Sequence, residues 1–199
     1  MIAFKAVVRD LWRLSAPYFR SEEWVKAWLL LGSIIAMSLL LVRLTVQLNY
    51  WNGAFFDSLQ NKDWDGFIAL LLAYRWNDSG FMPGFVMIVV VYIPVSIYRT
   101  YLNQLLQVRW RRWMVAQMMS EYLAGRAYYT MALKADPGSA DNPDQRIADD
   151  TKAFVESTLT LGQDLLSNVV TVISFAAILW GLSGTVSLFG LSIPGYLLW

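Results

Sequence analysis

The residues best placed to do chemistry are polar and charged, and they fall in two runs. One is Asp141-Asn142-Pro143-Asp144-Gln145-Arg146-Ile147, followed by Asp149 and Asp150; the other is Arg109-Trp110-Arg111-Arg112-Trp113. The first has the makings of a helix start. Asn142 or Asp141 can accept from exposed amides, Pro143 suits the first helical position, and Asp144 complements the positive end of the dipole. The same string can serve as an ordinary helix start or as a charged loop that a partner grips. The second run suits a helix anchored at lipid headgroups, where each basic residue contributes about 1 kcal/mol near an anionic surface. Glu121, Asp149, Asp150, Glu156 and Asp164 could pair between helices or take part in proton movement. No catalytic residue is expected, because the chain has no histidine and no cysteine. That removes the commonest general base, and with it the usual imidazole and thiolate metal ligands; no metal site is expected.

These residues must be positioned by elements built for a membrane. Hydrophobic residues make up 57% of the 199 and charged residues 16%, against roughly 45–50% and about 25% in soluble domains. The 15% aromatic content fits rings gathered at lipid–water boundaries. A net charge of +1 gives no argument for a nucleic-acid partner.

Residues 2–15 predict an amphipathic helix. Phe4, Val7, Val8, Leu11, Trp12 and Leu14 share one face, and Lys5, Arg9 and Arg13 line another, as in a helix lying in the membrane interface. Pro17 ends it. A first span is expected over 24–48. Arg43 falls near its far boundary, either snorkelling to headgroups or facing the bundle interior. Arg43, Asn49 and Trp51 are the candidates for a substrate path. Residues 53–80 are expected to be a polar loop with a short apolar insert. A second span with a long extension is expected over 81–133, with Pro94 inside it, then a loop over 134–146, a third span over 147–182, and the start of a fourth at 193–199.

Charge gives the sidedness. The 53–80 loop carries two basic and four acidic residues, whereas residues 1–26 carry five basic residues and 99–152 carry eight. Lysine and arginine excess marks the cytoplasmic side, so the N-terminus and the 134–146 loop are expected inside, in a multi-pass protein of the bacterial inner membrane.

Two long helices joined by a polar loop below the bilayer form a hairpin that a soluble motor could push. With the Tyr50-Trp51-Asn52 to Phe55-Phe56-Asp57 patch, the Arg109-Trp110-Arg111 run, the Asp141-to-Asp150 string and Ile193-Pro194-Gly195-Tyr196, the chain resembles the membrane domains of ATP-binding-cassette transporters of the SbmA/BacA-like class, which are related to the peroxisomal fatty-acyl half-transporters. The resemblance implies an all-α polytopic bundle, here the N-terminal half of an exporter-like transmembrane domain, paired with a second copy of itself. It implies that Asn142, Pro143, Asp144, Gln145, Arg146, Asp149 and Asp150 couple the bundle to a nucleotide-binding domain, fused or separate. ATP and magnesium would belong to that domain. No Gly-x-x-x-x-Gly-Lys-Ser/Thr phosphate loop occurs in these residues, which are therefore expected to be the front part of the transporter.

The function expected is the membrane part of an ATP-driven transporter moving a large or amphiphilic substrate. The alternatives are proton-gradient-driven peptide uptake and a membrane scaffold that transports nothing.

Overall fold

The computed structural model describes residues 2–77, 80–124, 129, 143–182, 185–188 and 191–194. They fall in two compact units, Met1–Ile34 with Thr100–Gln163, and Ile35–Arg99 with Asp164–Trp199. The protein is an all-α membrane bundle. Its helices are α1 (Ile2–Ser15), α2 (Trp24–Gln60), α3 (Trp64–Leu72), α4 (Phe85–Leu123) and α5 (Pro143–Leu182). Helices α2, α4 and α5 are each long and apolar enough to cross a membrane. At 1.5 Å per residue they reach about 55–60 Å, roughly twice the hydrocarbon thickness.

Helix α1 ends where Pro17 withholds its amide. The chain then tightens into a 3-10 turn over Tyr18–Arg20. The Ser21 hydroxyl donates to Tyr18 O at 2.7 Å and accepts from Glu23 N at 3.3 Å, which fixes the entry into α2.

Helix α2 outruns its expected end at residue 48 and continues to Gln60. Nothing in Asn49-Tyr50-Trp51-Asn52-Gly53 breaks a helix, and a polar composition alone does not end one. The stop comes at Lys62, which adopts φ 55°. There Lys62 N donates to Leu59 O (3.2 Å) and Asp63 N to Ser58 O (2.9 Å), the paired closure of a Schellman end. Asp63 then caps α3, its Oδ1 accepting from Gly66 N at 3.0 Å. Much of the expected 53–80 loop is therefore the last turns of α2, the helix α3, and a hairpin of β1 (Tyr74–Asn77) with β2 (Gly80–Pro83).

Gly84 follows the hairpin, and its amide donates to Ala73 O at 2.9 Å. A Cβ there would lie 2.7 Å from Ala73 O and 3.0 Å from Leu70 O, so the close approach needs glycine. In the same unit Trp51, Leu70 and Ile88 form a core with Leu44, Phe55 and Met82 packed on it. Trp51 Nε1 donates to Leu70 O at 2.7 Å, tying α2 to α3.

Helix α4 carries Pro94 within it. It begins at Phe85, so residues 81–83 of the expected second span are strand. Residues 125–128 and 130–142, which hold the end of that span's extension and most of the expected loop, lie outside the described residues. Helix α5 starts at Pro143, the position its sequence suits for a first helical residue, and so takes in residues 143–146 of the expected 134–146 loop. A second hairpin pairs β3 (Thr185–Leu188) with β4 (Leu191–Pro194). It takes up positions 193 and 194, and residues 195–199 of the expected fourth span lie outside the described residues.

Candidate functional site

In the first unit the turn after α1 is clasped by aromatic rings. Tyr18 is fully buried and Trp110 is 1% exposed. Their rings stack with centroids 5.5 Å apart and planes at 7°. Phe19 meets Trp110 edge-on at 5.5 Å, and Phe154 of α5 meets it at 6.1 Å. Offset stacking and edge contacts of this kind are favourable beyond the area they bury. Trp28 Nε1 donates to Phe19 O at 3.3 Å, and Arg112 Nη2 lies 3.5 Å from Glu23 Oε1. Burial raises the Tyr18 pKa, the Glu23 carboxylate raises it further, and Arg109 and Arg112 oppose the rise.

The basic and aromatic run of α4 is therefore divided. Trp110 packs inside the unit instead of facing headgroups, a correction to its expected anchoring role. Its position one residue after Arg109 put it on the face that meets Tyr18, and only the tertiary partner reveals that. Trp113 is half-buried beside Tyr18 at 5.7 Å. Arg112 is exposed, while Arg109 and Arg111 are half-buried. Arg111 Nη2 donates to Ala148 O at 3.4 Å, so one of the cations reaches back to α5.

Of the coupling candidates, Asn142 lies outside the described residues, and Pro143 and Asp144 are placed only as the first residues of α5. Gln145 follows on the exposed surface. Arg146 Nε lies 3.7 Å from Asp150 Oδ2, one helical turn on, and both are well exposed. Asp149 is also exposed. The start of α5 thus presents charge of both signs to solvent.

Two polar residues outside the expected set join α4 to α5. Gln163 Nε2 donates to Asn103 Oδ1 at 2.7 Å, and Gln163 is buried. The sequence did not single them out, because Asn103 stands beside Gln104 and Gln107 and Gln163 beside Asp164; only the packing of α4 on α5 shows which amides meet.

The substrate-path candidates separate within the second unit. Trp51 is held in the core, its indole N–H committed to Leu70 O. Asn49 is exposed. Arg43 lines a cavity of about 390 Å³ between α2 and α5. Among the described residues no group of His, Cys, Asp or Glu could hold a metal ion.

Three helices long and apolar enough to cross a membrane accord with the family that the chain matches. Residues 14–198 match the family described as ABC transporter transmembrane region 2. The chain belongs to that family. This transmembrane region is 30% identical over 186 residues to the inner membrane ABC transporter ATP-binding protein YddA of Escherichia coli, covering 94% of this chain and 31% of that protein. It is 30% identical over 176 residues to ABC transporter D family member 2, chloroplastic, of Arabidopsis thaliana, covering 88% and 23% respectively. It is 27% identical over 166 residues to the lysosomal cobalamin transporter ABCD4 of Homo sapiens, covering 82% and 25%. The transmembrane region spans about a third or less of the length of these relatives.

Proposed function

We propose that this transmembrane region is the membrane-spanning part of an ATP-driven transporter that moves a large or amphiphilic substrate across a bacterial inner membrane. The match of residues 14–198 to the transporter family carries the reading. The words "ATP-binding" in the Escherichia coli relative's name favour ATP over a proton gradient as the drive. A finer place beside the SbmA/BacA-like class rests on the Tyr50-to-Asp57 patch, the Arg109-Trp110-Arg111 run, Ile193-Pro194-Gly195-Tyr196 and above all the Asp141-to-Asp150 string.

In this reading a nucleotide-binding domain holds ATP and magnesium and presses on the start of α5, where Asp144, Arg146, Asp149 and Asp150 gather. The Asn103–Gln163 and Arg111–Ala148 hydrogen bonds make α4 and α5 move as a pair. Such rigid displacement is how packed helices transmit a local push. The N-terminus lies in the cytoplasm, by the excess of lysine and arginine. Helix α1 exposes Val7, Val8 and Trp12 along with Lys5, Arg9 and Arg13 and rests in the interface. A second copy completes the translocation path.

The test uses the full-length protein in liposomes. With Asp144 and Arg146 both replaced by Ala, ATP hydrolysis should persist while transport falls at least tenfold; full transport by the double variant would sink the coupling role. Uptake that an ionophore abolishes while ATP is present would point to the gradient-driven alternative, and the absence of any flux with ATP present to the scaffold.

A further inference from the structure

The segment between the first two spans folds back along α2. Trp51 Nε1 donates to Leu70 O at 2.7 Å, and the Phe55 and Phe67 rings lie 5.0 Å apart, so α3 runs antiparallel to the end of α2. Asp63, ahead of its first turn, is held to Ser58 O, and its last turn descends to the core that Leu48 and Leu44 pack against. A span of about 20 residues that enters the hydrocarbon at Ala27 leaves it near Val46. Trp51 lies about 7 Å further along the helix, at headgroup depth.

The face of this segment turned away from its core is apolar. On α3, Gly66 and Leu70 are buried, while Trp64, Ile68 and Leu72, four residues apart, form one exposed stripe. Alternation along the hairpin turns Met82 to the core. It leaves Trp76 and Phe81 outside, paired in register with their rings edge-on at 5.7 Å. Trp76 is 70% exposed and Leu72 64%. Val86 and Val90, in the first turns of α4, are exposed too, so apolar surface continues into the second span.

Charge is sorted along the same segment. Asp57, Lys62, Asp63 and Asp65 gather at the joint between α2 and α3, and no charged residue falls from Gly66 to Tyr74. A surface bathed in water along its whole length needs no such gradient; one that dips into a bilayer does. Aromatic rings gather at headgroup level, and helices with one apolar face rest there.

We propose that α3 and the β1–β2 hairpin are seated in the lipid of the leaflet that α2 reaches last, with the α2–α3 joint in water and Leu72, Trp76 and Phe81 where headgroups meet acyl chains. The partner is the bilayer itself. The inference goes beyond the transporter reading and needs only that α2 crosses the membrane; it holds whatever drives transport.

The test places a nitroxide on Asn61→Cys, Ile68→Cys, Leu72→Cys or Phe81→Cys in the full-length protein, freed of any other cysteine and reconstituted in phosphatidylcholine–phosphatidylglycerol liposomes. Collisions are compared for oxygen, which concentrates in hydrocarbon, and a water-soluble nickel chelate. Oxygen should dominate at Leu72 and Phe81, nickel at Asn61, with Ile68 between them. Dominance of nickel at both Leu72 and Phe81 would overturn the seat and leave the face open to water. Low accessibility to both reagents would overturn it as well. Spin–spin broadening that vanishes on dilution with unlabelled protein would then assign the face to a second copy, and its absence to another segment of the full-length chain. A lighter change gives an independent readout. Trp76→Phe should reduce the tryptophan fluorescence that lipids brominated near the headgroup quench; an unchanged quenched signal would show that Trp76 does not meet lipid and would overturn the seat.

Discussion

The phenol of Tyr18 lies parallel to the indole of Trp110, 5.5 Å away between centroids, and both rings are withdrawn from solvent. This contact pins the turn after α1 to the middle of α4. The Tyr18 hydroxyl has no hydrogen-bond partner among the described residues, so its ring matters and its oxygen does not. Tyr18→Phe is expected to be neutral or to stabilise by up to about 1 kcal/mol, because a buried unsatisfied group is removed. Tyr18→Ala and Trp110→Ala should each cost about 3–5 kcal/mol. Thermal unfolding of the purified full-length variants distinguishes the two outcomes.

The same residue gives a pH signature. Burial first, then Glu23, raise its pKa above 10.0 in the folded protein. Below pH 10 the phenol is protonated in both states and contributes no pH dependence. As pH rises past 10 the unfolded chain loses the proton first, binds fewer protons than the folded state, and stability declines. Melting curves at pH 9, 10 and 11 should show a decline in the parent protein that is shallower in Tyr18→Phe. Identical slopes would show that Tyr18 ionises as freely when folded as when unfolded.

Trp51 donates to Leu70 O inside a packed core. Trp51→Phe keeps a ring but leaves that carbonyl short of a donor, at an expected cost of about 1–3 kcal/mol. Transport by the variant at a permissive temperature should stay near the parent level if the residue only holds α3 in place. A selective loss of substrate binding with stability unchanged would argue for direct contact.

Lys62 and Gly84 are opposite backbone cases. Lys62 sits at positive φ, where glycine is at ease, and Lys62→Gly should stabilise by about 1 kcal/mol. Gly84→Ala would push a methyl to within 2.7 Å of a backbone oxygen and should destabilise by about 1–3 kcal/mol. Unfolding temperatures should move in opposite directions for the two variants.

The Asn103–Gln163 pair can be weighed by a double-mutant cycle. Replacing each by Leu, and then both, should give a coupling of about 0.6–2 kcal/mol, the range of hydrogen bonds between membrane helices. A coupling of zero would leave side-chain packing and the Arg111–Ala148 hydrogen bond to join α4 and α5.

The three long helices could be read from sequence because each carries a stretch apolar enough to cross a membrane, which composition and length register directly. Where α2 ends could not. Asn49-Tyr50-Trp51-Asn52 has the composition of an interface, yet helix propagation depends on backbone hydrogen bonds, and these continue until Lys62 turns left-handed. The place of Trp110 was hidden for a different reason. Local spacing puts it on a helix face, but whether that face meets lipid or Tyr18 depends on a residue far away in the chain. Arg43 was legible as an anomaly, a cation at the edge of an apolar run; that it lines a cavity required α5 beside it. The acidic and basic residues at the start of α5 were legible as charge and as a helix start, because capping is local chemistry.

Asp63 closes α2 through its amide and opens α3 through its carboxylate. Two helices thus share a single residue as their joint, with no slack between them. An elbow of that kind has no free hinge: a twist of α2 about its axis must swing α3 with it. A glycine inserted after Lys62 would loosen that joint and leave the Trp51–Leu70 hydrogen bond and the core around it to hold α3 to α2.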